Sequence, residues 1–107
     1  MNDLDATLSA LADPTRRKVV DLLREGPRPA GELAEAVQMS APALSRHLRV
    51  LRAGGLVQAE TGDDDARLRL YSLRPEPFTA LRAWLDQVQA FWAEQLGSFK
   101  EHVERER

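Results

Sequence analysis

The chain has 107 residues, with 17 acidic and 15 basic side chains, a formal net charge of −2 and no cysteine. That length suits one domain with a modest core, and the missing thiols exclude disulfides, thiolate metal sites and thiol catalysis. The charge balance excludes a bulk polycation, so a case for nucleic acid has to be made locally. The hydrophobic fraction of 43% is too high for a disordered chain. No apolar run approaches the ~18 residues of a membrane span. Met1-Asn2-Asp3-Leu4-Asp5 is acidic and is not followed by the apolar stretch of a secretory signal. A soluble, cytoplasmic protein with no membrane partner is the expectation.

Leu4, Leu8 and Leu11 fall at i, i+4 and i+7, the stripe of a short amphipathic helix. Asp13-Pro14 then restarts a helix, with Asp as N-cap and Pro at the first helical position. Val19, Leu22 and Leu23 form its apolar face, and Gly26-Pro27-Arg28-Pro29 reads as a tight connection. Residues 30–37 make a third helix with Leu33, Ala34 and Val37 inward. Its capping box is incomplete, because Pro29 stands where a hydroxyl would pair with Glu32.

Gln38-Met39 is a short turn, and Ser40 caps a fourth helix over 41–53 that Gly54-Gly55 terminates. Strands over 56–61 and 67–73 flank Gly62-Asp63-Asp64-Asp65-Ala66, a loop too long for a two-residue turn. In the second strand Leu68 and Leu70 point one way, and Arg67, Arg69 and Tyr71 the other. Pro75 and Pro77 mark the entry to a long last helix over about 76–104. The order α-α-α-α-β-β-α is mainly α with a β-hairpin wing, the arrangement of a winged helix-turn-helix.

At about 100° per residue the fourth helix separates into faces. Leu44, Leu48 and Leu51 form the buried side. Arg46 lies almost opposite, with Pro42, Arg49 and Ala53 on the same outer side and Ala43 and Val50 at its margin. Small residues and arginines without an acid let a helix approach a DNA groove closely. Ser40, Ala41, Pro42 and Ala43, at its start, are compact. Ser40 and the free N–H groups there suit a phosphate. Arg46 suits a base edge, typically guanine. From Ala36 to Ala59 there are three Arg and no acid, a local charge of +3. A plain solvated face would mix signs at i,i+4, and this one does not. His47 is read first as a flank histidine between core and solvent. Arg52 is flanking too, a phosphate-reaching or intramolecular group.

Ala10-Leu11-Ala12-Asp13-Pro14-Thr15-Arg16-Arg17, Glu32-Leu33-Ala34, Leu44-Ser45-Arg46-His47-Leu48-Arg49-Val50-Leu51 and Gly54-Gly55-Leu56-Val57 resemble the ArsR-type winged-helix transcriptional repressors. The resemblance covers roughly residues 3 to 73, and the long last helix fits it. It implies a homodimer that binds double-stranded operator DNA, blocks transcription and, in many members, is released by an inducer. By that pattern Ser40, Ala41, Ala43, Ser45, Arg46 and His47 hold recognition-helix positions. The family's best-known metal sites use Cys, which this chain lacks. Another family site pairs His with carboxylates on the last helix. His102 and Glu106 stand at i,i+4 there, too few ligands for a metal to be expected. No cofactor is expected.

The wing tip carries Asp63, Asp64 and Asp65, which phosphates repel and which lack the spacing of a calcium loop. Arg67 and Arg69 follow them and suit backbone contact. In the last helix Phe78, Leu81, Leu85, Val88, Trp92 and Phe99 repeat at near-heptad spacing, widened by Trp84 and Phe91 and extended by Leu96 and Val103. One small domain cannot cover that surface, so a self-complementary dimer interface is expected, completed by Leu4, Leu8 and Leu11. The expected organisation is one domain over 1–107. Within it, 13–74 binds DNA, and 1–12 with 76–107 form dimerisation helices.

An enzyme reading fails. Ser45 and His47 diverge on one helix, and no G-x-S-x-G, P-loop or dinucleotide fingerprint is present. The rival from another class is a winged-helix module whose fourth helix meets a protein instead of DNA.

Overall fold

The computed structural model describes residues 3–61 and 69–105, apart from the side chains at 98, 99, 101, 102 and 105. Arg67, the three wing-tip aspartates, the Phe99 side chain and the His102–Glu106 pair therefore lie outside the described residues. The elements are α1 (Asp3–Leu11), α2 (Pro14–Leu23), β1 (Arg28–Pro29), α3 (Ala30–Ala36), α4 (Ala41–Ala53), β2 (Val57–Thr61), β3 (Arg69–Leu73) and α5 (Pro75–Arg105).

The caps explain the boundaries. Asp13 has an extended backbone, and its carboxylate accepts from the N–H groups of Thr15 at 2.8 Å and Arg16 at 3.1 Å. Two of the donors that a helix start leaves orphaned are thus satisfied. Pro29 precedes α3 with no side-chain cap, as its missing hydroxyl requires. Ser40 accepts from Ala43 N–H at 3.3 Å and opens α4. Between α3 and α4, Gln38 takes φ 55°, and Met39 N–H reaches back to Ala34 at 3.0 Å. After α4, Gly55 at φ +77° supplies the left-handed residue, and Leu56 N–H bonds to Leu51 at 3.0 Å. Only glycine takes such a backbone without a Cβ penalty.

The connection after α2 is not merely a turn. Arg28 and Pro29 pair antiparallel with Tyr71 and Leu70, giving a three-stranded sheet of order β1-β3-β2. A two-residue strand with proline at a sheet edge carries no periodicity that could announce it. β2 and β3 run in register from Val57↔Leu73 to Thr61↔Arg69. The pairing starts at Val57, one residue later than the sequence suggests, with Leu56 wholly buried before it and its carbonyl still accepting from Arg74 N–H at 2.9 Å.

The core joins Val19, Val20 and Leu23 of α2, Leu33 and Ala34 of α3, and Leu44, Leu48 and Leu51 of α4, closed by Leu56, Val57 and Tyr71. Each fully buried leucine contributes roughly 1.5–3 kcal/mol relative to an exposed one. Two inward faces are set by the packing and not by the sequence pattern. In α1 the buried residues are Thr7 and Ala10, not the leucine stripe. Small side chains allow close approach there, and the Thr7 hydroxyl is satisfied by Asp3 C=O at 3.0 Å. In β3 Tyr71 is buried, whereas Leu70 is exposed. The face shared by Arg69 and Tyr71 is therefore the one turned towards α4.

The extents are 71 × 26 × 25 Å and the radius of gyration is 19.5 Å. A compact chain of this length has about 13 Å. The excess comes from α5, whose 31 residues run about 46 Å, well past the core.

Candidate nucleic-acid interface

The outward face of α4 forms because its three leucines point inward. Ser40, Ala41 and Pro42 are exposed at its start, and Ala43 is half-buried beside them. Ser45, Arg46, Arg49 and Arg52 are exposed along its length. Among the described residues none of these three arginines has an ion-pair partner. Their charges stay available to an anion, in a segment that contains no acid.

Arg69 joins them from the wing. Ser45, Leu48, Arg49, Arg52, Arg69 and Tyr71 line one open groove of about 480 Å³ between α4 and β3. Three guanidiniums thus come together over a floor of Leu48 and Tyr71. Sequence spacing alone could not bring Arg69 and Arg52 together, because that depends on which face of β3 packs inward.

His47 has a different neighbourhood. Its side chain is 21% exposed, with Nδ1 4.0 Å from Asp13 Oδ1 and 3.4 Å from Nη1 of Arg16. The flank position inferred from the wheel is correct, but no spacing announces these partners, 31 and more residues away. Arg16 also donates through Nε to Ala10 C=O at 2.6 Å and through Nη2 to Ser9 C=O at 3.1 Å. Arg17 donates to Leu11 and Ala12 C=O at 2.7 and 3.1 Å. The two arginines occupy the carbonyl end of α1, where cations are favourable. The Asp13 carboxyl is held below its ordinary value of 3.8, chiefly by the Arg16 N–H bond, with the Thr15 N–H, His47 and Arg16 charges adding against a desolvation penalty.

The candidate dimer residues divide into two sets. Leu4, Leu11, Leu81 and Val88 are half-buried within the protomer. Leu8 and Trp84 are 40% exposed, Leu85 47%, Trp92 60% and Phe91 61%. Packing on the protomer's own core therefore leaves the aromatic stripe uncovered at Phe91 and Trp92. Among the described residues no helix is long and apolar enough to cross a membrane.

A capped helix-turn-helix, an acid-free outer face on its second helix and a β-hairpin beside it define a winged helix-turn-helix DNA-binding protein. The model of bacterial regulatory proteins of the arsR family matches residues 13–59. The chain is 38% identical to the HTH-type transcriptional regulator Rv2034 of Mycobacterium tuberculosis over 95% of its own length and 90% of that protein. It is 39% identical to the transcriptional repressor SdpR of Bacillus subtilis over 50% of this chain and 60% of that one. Among solved structures it is similar to the homodimeric winged helix-turn-helix DNA-binding domain Mb0332 from Mycobacterium bovis. The TM-score is 0.66 and the identity 28%, over 87% of this chain and 83% of that one. The chain belongs to the ArsR family of bacterial transcriptional regulators.

Proposed function

We propose that this chain is a homodimeric repressor whose two α4 helices read a pseudo-palindromic operator in double-stranded DNA. The observation that carries the reading is the exposed arginine face of α4 behind the Ser40 cap, without an ion-pair partner among the described residues. In this reading Ser40, Ala41, Pro42 and Ala43 approach the groove, and Arg46 meets a base edge. Ser45, His47 and Arg49 flank it, and Arg67 and Arg69 reach the backbone from the wing. Residues 13–74 act as the DNA-binding core. Residues 1–12 and 76–107 join two copies through Leu4, Leu8, Leu11, Leu81, Trp84, Leu85, Val88, Phe91, Trp92 and Phe99. In this reading the protein acts in the cytoplasm, where its operator is.

Selection of bound sequences from random duplex DNA tests this directly. The expected product is a two-fold site with half-sites about one helical turn, or a multiple, apart. Binding should weaken with salt at a slope of several phosphates. Failure to enrich any sequence, with no salt-dependent binding, would favour a module that contacts protein through α4.

A further inference from the structure

A second groove lies away from α4, where the end of α2, the end of β3 and the first two turns of α5 meet. It holds about 500 Å³, with Val20, Leu73 and Phe78 as an apolar floor and Arg24, Arg74 and Arg82 around it. We propose that it binds a small amphipathic anion, an apolar chain or ring that ends in a carboxylate.

The size falls in the range of ligand pockets, roughly 300–1,000 Å³, and the lining has their usual make-up of apolar walls with a few polar groups. The cations are available. Arg24 is 3.6 Å from Asp21 and Arg74 is 3.7 Å from Glu76, both long contacts between exposed groups. Such pairs are weak and yield easily to a better anion. Arg82 has no ion-pair partner among the described residues. α5 begins in the groove at Pro75, so the positive end of a 31-residue helix adds to the three guanidiniums. The carbonyl end of α2 works against an anion, and Arg24, at its C-cap, offsets it. An apolar body explains the floor, and a carboxylate explains the rim.

By helical periodicity Phe78 lies within about 20° of Leu85, whereas Arg82, Pro75 and Thr79 lie about 60°, 80° and 120° around the helix from it. A small anion suits the groove better than a second copy of α5, because an apolar stripe laid there would leave the rim guanidiniums without a counter-charge. The groove also spans the joint between the core and α5, so an anion held between Arg24 and Arg82 fixes the angle at which α5 leaves the core. Its effect on operator spacing rests on the operator reading above, whereas the binding site does not.

Calorimetric titration of the full chain with decanoate, and with 1-decanol as the neutral molecule of equal chain length, tests the site without DNA. Decanoate should bind once per protomer and more tightly than decanol. Arg82→Gln should weaken decanoate roughly fivefold and leave decanol unchanged. Thr79→Trp, at an exposed position on the groove wall, should abolish both by filling it, with the circular dichroism spectrum retained. Equal affinity for the two probes, no heat with decanoate, or parental decanoate binding in both variants would overturn the proposal. So would a dimer-to-monomer change in either variant, which would assign the groove to a second copy. A gel shift on the same samples reads the coupling separately. Decanoate bound without altered DNA affinity keeps the site and removes only its link to the operator.

Discussion

His47 Nδ1 lies 4.0 Å from Asp13 Oδ1 and 3.4 Å from an Arg16 guanidinium nitrogen, so the flank of α4 is fastened to the first turn of α2. The same carboxylate caps α2 through two backbone N–H groups. One aspartate therefore fixes both where α2 starts and how α4 sits on it. A neutral imidazole with its lone pair on Nδ1 accepts from Arg16, whereas an imidazolium pairs with Asp13 instead.

Asp13→Ala should lower the thermal midpoint, and Asp13→Ser, which keeps an N-cap acceptor, should recover much of the loss. The pH dependence has a definite sign. The Asp13 carboxyl is depressed below 3.8 in the folded protein. Its charge-linked stabilisation is therefore fully present above that value and is lost as pH falls through the lower folded-state value. The stability gap between the parent and Asp13→Asn should be constant near neutrality and close only under acid. A gap that closed between pH 5 and 7 would assign it to another group.

Arg46→Ala should weaken operator binding by about 1–3 kcal/mol and relax preference at one position of each half-site. Arg69→Ala should instead weaken all sequences alike and reduce the salt slope by about one. Gel-shift titration over several salt concentrations distinguishes them. Identical profiles for the two variants would contradict this division of roles.

Leu85→Glu places a charge in each half of the expected α5 interface. Removing such a charge from water without a partner costs several kcal/mol. Sedimentation should show a monomer at concentrations where the parent is a dimer, and operator affinity should fall with it. An unchanged sedimentation profile would count against α5 as the dimer surface.

Leu51→Ala removes a wholly buried side chain from the centre of the core. The expected loss is about 2–5 kcal/mol, read as a lower urea midpoint at constant slope. Gly55→Ala should cost about 1–2 kcal/mol for a different reason, because its φ of +77° crowds any Cβ.

The helices were legible because each carries its own punctuation. Asp13-Pro14, Ser40 and Gly54-Gly55 mark ends by local chemistry, and Leu44, Leu48 and Leu51 mark a face by period. β1 was not legible, since Arg28–Pro29 becomes a strand only by pairing with β3, some forty residues away. The inward turn of Tyr71 was lost for a related reason. Alternation separates the two faces of β3 but does not say which one meets α4. On the candidate interface, the exposed Arg46 and Arg49 followed from the wheel. The contacts of His47 with Asp13 and Arg16 did not, because they join two helices across the fold.

Only Arg74 separates the last residue of β3 from the first residue of α5, and its N–H is bonded to Leu56 C=O at 2.9 Å. One residue inserted at this joint would turn α5 by about 100° and carry its whole apolar stripe off line. Length at the joint is therefore under far tighter constraint than side-chain identity along α5. Any assembly built on that helix can diverge by point substitution, whereas an insertion or deletion there breaks it in a single step.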